Sequence, residues 1–97
     1  MFARNVRRLI ANASIRSTAG AVPGVLAIEK LAVRRVGLGY RTVVHVQADA
    51  DLPLRDAHAL GTAVSRTLHE RLPYVQSVIV HMEPYEAHAV HGVKAQR

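Results

Sequence analysis

The chain has 97 residues, 49% of them hydrophobic and 21% charged, with a formal net charge of +6. That length supports one small globular domain, whose modest core gains from a metal or a partner chain. With no cysteine in the sequence, disulfides and thiolate metal sites are excluded, and a metal has to be held by histidine and carboxylate.

The basic N-terminal segment lacks the apolar centre and cleavage site of a secretory signal. No apolar stretch approaches the roughly 20 residues of a spanning helix. The expected location is the cytoplasm, without direct membrane insertion. Periodicity predicts a first helix over residues 3–19, where Val6, Leu9, Ile10 and Ala13 recur at three- and four-residue steps with arginines opposite. Gly20 and Pro23-Gly24 end it. A strand follows over 25–36. Leu26 and Ile28 alternate on one face, then Leu31 and Val33 resume out of phase, so the slip at Glu29-Lys30 predicts a bulge. Gly37-Leu38-Gly39 turns the chain into a hairpin partner over 40–49. There Thr42, Val44, Val46 and Ala48 share one face, and Val43, His45, Gln47 and Asp49 the other.

Asp51 is placed to cap a second helix over 53–72, with Pro53 in its first turn and Pro73 as its stop. Leu54, Ala57, Gly61, Val64, Leu68 and Leu72 keep helical spacing. A third strand runs over 75–83, with Val78, Val80 and Met82 on one face and Ile79, His81 and Glu83 on the other. Pro84 ends it, and residues 86–97 read as a flexible tail containing His88 and His91. The order is α-β-β-α-β, an α+β sandwich with two helices on one face of a three-stranded sheet. Such an arrangement leaves the other sheet face open, as a dimer or ligand surface.

The arginines make an anionic partner or a juxtamembrane position conceivable. One Phe and no Trp leave nothing to stack on bases, so nucleic acid is not expected. No phosphate loop or nucleophile elbow is present, which argues against an enzyme.

The ionisable residues carry more chemistry. His45, His81 and Glu83 fall on the open-face phase of their strands, with His81 and Glu83 two apart in one strand. Glu29 sits at the slip in the first strand, and His58 at the border of the second helix's apolar stripe. Imidazole plus carboxylate is the ligand set of zinc and of other transition metals. His58 poses a geometric tension, because a helix on one sheet face does not readily present a ligand to the opposite face. It must reach around an edge, or join through a second protomer, or stand outside the site. His69 reads as a solvated helix residue.

Several segments together resemble the cytoplasmic C-terminal domain of cation diffusion facilitator transporters, over about Ile15 to Pro84. They are Val22-Pro23-Gly24-Val25, Leu31 with Arg34 and Gly37, Asp51-Leu52-Pro53-Leu54-Arg55-Asp56-Ala57-His58, and Val78-Ile79-Val80-His81-Met82-Glu83-Pro84. The resemblance implies a ferredoxin-like, metallochaperone-like fold and a V-shaped homodimer. It implies divalent cations, often zinc, bound near the dimer interface, and closure of the V that tunes an attached membrane transporter. It places ligands at Glu29, His45, His58, His81 and Glu83, the residues already singled out. Two departures stand out: Glu29 where that family site often has His, and Glu83 where Asp is common. The missing membrane domain is the larger departure, since a chain without a pore transports nothing. The chain is then either an excised fragment or a stand-alone protein carrying only the regulatory module, and Met1 followed directly by a helix favours the second. The expectation is a cation-binding regulatory module that buffers or senses zinc-like metals, or pairs with a membrane-bound transporter. The alternative is a metal-free interaction module for a membrane transporter or an anionic partner.

Overall fold

The structure is a computed structural model that describes residues 2–86, with side chains from residue 6 onward. Its elements are α1 (Phe2–Gly20), β1 (Ala27–Val36), β2 (Gly39–Ala48), α2 (Leu54–Arg71) and β3 (Val75–Pro84). The strands form one sheet in the order β1-β2-β3. The β1–β2 pair is an antiparallel hairpin, and β3 is parallel to β2. A parallel pair needs a crossover, which α2 supplies. The α-β-β-α-β sandwich is therefore present, and β2 is its central strand.

The period of β2 decides the core. Val44 and Val46 are fully buried, and Thr42 and Ala48 nearly so. The Thr42 hydroxyl donates to the Ala32 carbonyl oxygen at 2.9 Å, which satisfies the one buried polar side chain among the described residues. Against this strip pack Leu60, Val64 and Leu68 of α2, with Ile15 and Ala19 of α1. Val78, Val80 and Met82 of β3 add to the same side.

Several local expectations are corrected. The buried stripe of α1 is Ala11, Ile15 and Ala19, while Leu9 and Ile10 are 66% and 60% exposed. Leu9 and Ile10 face away from the core, and Ile15 fills it between the small Ala11 and Ala19. In α2 the buried residues are Leu60, Val64 and Leu68, whereas Leu54 in the first turn is exposed. Asp51 does not cap α2. Pro53 occupies the cap position with no side-chain hydrogen bond, and Asp49 Oδ1 instead accepts from the Asp51 amide at 2.8 Å. Leu26 precedes β1 and is exposed. The expected tail, with His88 and His91, lies outside the described residues.

Candidate metal centre

The bulge in β1 supplies the first carboxylate. Ile28 pairs with Val46 and Lys30 with His45, so Glu29 is the extra residue in the ladder. Ile28 and Leu31 both pack on the core, although they are three positions apart. A regular strand would send them to opposite faces. The bulge absorbs the mismatch and leaves Glu29 and Lys30 together on the open side.

His45 lies in the middle of β2, with Lys30 beside it on β1 and His81 beside it on β3. Glu83 pairs with Gln47, two residues further along. That diagonal is within reach of a long side chain, and His45 Nδ1 lies 2.6 Å from Glu83 Oε2. The donor in this contact depends on the imidazole tautomer, and a cation shared by His45 Nδ1 and Glu83 would take the place of its proton. The two side chains are 22% and 32% exposed, which makes the pair sheltered yet reachable.

Glu29, His45 and Glu83 each offer a ligand atom, and these atoms lie within 4.8 Å of one another. Two carboxylates this close repel each other, and a divalent cation between them converts the repulsion into two attractions. At zinc–ligand distances of about 2.0–2.2 Å, tetrahedral ligand atoms stand roughly 3.3 Å apart. To reach that spacing the His45–Glu83 contact, at 2.6 Å, would have to open around the ion. The donor set therefore fits a divalent cation of the zinc, manganese or nickel kind, with open positions left for water or a further ligand.

His81 is close but differently disposed. Its ring stacks on that of His45, with centroids 4.7 Å apart and planes 9° from parallel. Lone pairs lie in the ring planes, so parallel stacked imidazoles aim at different points. His81 has to rotate to share an ion with His45.

His58 lies across the sheet. It lines a cleft with Gly61, Thr62, Val80 and Met82, on the helix side of β3. Met82 packs on the core, whereas the flanking His81 and Glu83 take the open-face phase. Within one protomer the sheet separates His58 from the Glu29–His45–Glu83 group. The edge position of β3 leaves a route around it, or across to a second copy. His69 is exposed near the end of α2. Sequence reasoning passed over Lys30, which pairs with His45 across the ladder and shares its side of the sheet. The signal was available, because a bulge puts two successive residues on one face.

Among the comparisons with known proteins, one family model matches the chain. The family described as "Cation efflux protein, cytoplasmic domain" matches residues 10–85. Among solved structures, a cadmium form of the MamM C-terminal domain is 25% identical, with a TM-score of 0.77 over 79% of this chain and 96% of that one. A nickel form of the same domain is 24% identical, with a TM-score of 0.78 over 80% of this chain and 99% of that one. A manganese form is 22% identical, with a TM-score of 0.77 over 79% and 98% of the two chains. The comparison with curated proteins gives no significant match.

Proposed function

The chain belongs to the family of cation efflux protein cytoplasmic domains, and on that premise we propose that it is a divalent-cation-responsive regulatory and dimerisation module. Glu29, His45 and Glu83 form its primary site, His81 joins by rotating off His45, and His58 contributes only from a second protomer. The observation that carries this reading is the convergence of one imidazole and two carboxylates within 4.8 Å on the open face of the sheet. The domain has no catalytic role in this account. Zinc is the first candidate, and the harder Glu29 and Glu83 donors leave room for manganese. The solved MamM domains include nickel, cadmium and manganese forms, which fits a site built for a class of cations.

The partner is a second copy of the chain, in the cytoplasm, with a membrane-bound cation transporter as the assembly it regulates. The open sheet face supports this, since it carries the cluster together with the 54% exposed Ile79. An ion bridging carboxylate and imidazole from two copies would tie that face shut. Acidification releases the ion, because protonated imidazole has no lone pair to give.

Thermal unfolding of untagged, chelator-treated protein tests the proposal. A cation that binds only the folded state stabilises it by RT ln(1+[L]/Kd), about 2.7 kcal/mol at a hundredfold excess over Kd. Zinc should raise the melting temperature by several degrees, chelator should reverse the rise, and sedimentation velocity should show a larger species with zinc. A melting temperature indifferent to zinc, manganese and nickel would overturn the cation reading and favour a metal-free interaction module.

A further inference from the structure

Charge is unevenly divided along the chain. Residues 1–48 hold eight Lys and Arg and a single acid, Glu29, whereas residues 49–97 hold five Lys and Arg and six acids. The fold turns that division into two poles. The β1–β2 turn, the start of β3 and the N-terminal half of α1 meet at one end, where Tyr40 pairs with Val75 and Leu38 and Arg35 share a cleft with Arg7 and Ile10. Arg7, Arg8, Arg34, Arg35 and Arg41 are all exposed there. Glu70, beside Arg71 in the last turn of α2, is the one acid among the described residues that the element order brings toward this end. Glu29, Asp49, Asp51, Asp56 and Glu83 belong to the other end, through the start of β1, the ends of β2 and β3, and the start of α2.

Large apolar side chains stand among these arginines. Leu38 is 92% exposed at the tip of the turn, and Leu9 and Ile10 are 66% and 60% exposed on α1. The cleft between Leu38 and Ile10 holds about 260 Å³, and its walls include Tyr40 and Tyr74, packed edge to face at 5.8 Å. A turn tip is ordinarily polar, because leucine gains nothing from water there. Nucleic acid would reward the arginines but not Leu38. An anionic bilayer rewards both, with headgroup charge for the guanidinium groups and the acyl boundary for Leu38 and Ile10.

We propose that this hairpin pole is a docking surface for an anionic lipid bilayer. Contact there holds the domain upright on the membrane. Glu29 lies seven residues back along β1 from Val36 at the turn, roughly 23 Å at the usual strand rise, so the cation cluster stands clear of the lipid. The surface is distinct from the cluster, and either can fail without the other.

Cosedimentation of the untagged chain with phosphatidylcholine vesicles, with and without phosphatidylserine, is the test. The chain should pellet with the phosphatidylserine vesicles, stay in solution with the neutral ones, and be released by added salt. Arg7→Gln/Arg8→Gln should weaken binding about 25-fold, at roughly fivefold per arginine near an anionic surface. Leu38→Ser should weaken it about tenfold by removing apolar contact. All three side chains are exposed, so the variants should melt like the parent, and circular dichroism checks this. Failure to pellet with phosphatidylserine vesicles, or equal pelleting with neutral ones, would overturn the proposal. So would a Leu38→Ser variant that binds vesicles like the parent while a DNA oligonucleotide competes the chain off them, since that is the behaviour of a plain polycation.

Discussion

Glu83 reaches His45 because proline follows it and a parallel neighbour precedes it. Pro84 closes β3, and the Tyr85 amide donates to the Ala48 carbonyl at 2.7 Å, which fixes the strand end against β2. The carboxylate is thereby held beside the imidazole at 2.6 Å. Glu83→Gln keeps the shape and removes the charge. It should lower zinc affinity by about 10- to 100-fold, as losing a ligand or the partner that orients one usually does, with little change in melting temperature without metal. Titration calorimetry on parent and variant reads the affinity, and thermal unfolding without metal reads the melting temperature. His58→Ala should leave the affinity of the open-face site unchanged in a protomer. A loss as large as that of Glu83→Gln would assign His58 to the same ion through a second copy. The placement of His45, His81 and Glu83 on the open-face phase was legible in the strand period, as was the anomaly at Glu29. Stacking of His81 on His45 was not, because period gives the face of a side chain but not its rotamer.

At the scale of elements, β2 followed its period of two, and β3 did so from Val78 onward, past a register shift near its start that brings Val75 into the core as well. The helices were harder to read. Two apolar arcs exist on α1, and the arc that packs is the one made of Ala11, Ile15 and Ala19. Alanine contributes little to a hydrophobic pattern, yet it sets how closely a helix can approach a sheet, and that selects the arc. The same ambiguity hid Leu60 in α2, which is buried, behind Leu54, which is 86% exposed. Leu68→Ala should therefore cost about 2–5 kcal/mol in chemical denaturation, whereas Leu54→Ala should stay within about 0.5 kcal/mol. Similar losses from the two would put the helix in a different rotation. The β1–β2 turn offers a second check. A Cβ at Gly39 would lie 2.7 Å from the Tyr74 carbonyl oxygen and 2.6 Å from the Gln76 side chain. The Tyr40 amide donates to that same carbonyl at 2.8 Å, so the backbone cannot give way freely. Gly39→Ala should cost about 1–3 kcal/mol by crowding the start of β3. Gly37→Ala is strained for another reason, a φ of +59° with open space around it.

The whole molecule is thin for its length, with extents of 45 × 29 × 18 Å, because helices cover only one face of the sheet. Its arrangement in chain order, from first helix to last strand, could be read from turn residues and periodicity alone. Which carboxylates and imidazoles meet could not, because convergence depends on strand order and register, and one residue of slip reverses every face. A dimer through the open face would bury the cluster and raise the affinity of its ligands for an ion. A stable interface takes roughly 800 Å² per partner. Zinc-dependent dimerisation should accordingly be lost in His45→Ala, even at protein concentrations where the parent with zinc is fully dimeric.

Calorimetric titration of the untagged, chelator-treated chain with zinc, manganese and iron(II), beside a His45→Ala/Glu83→Gln variant, tests the central claim most directly. A saturable isotherm for the parent that disappears in the variant is the predicted result. An isotherm that survives in the variant, or no heat of binding to any of the three ions, would contradict the assignment of the Glu29–His45–Glu83 cluster as the site.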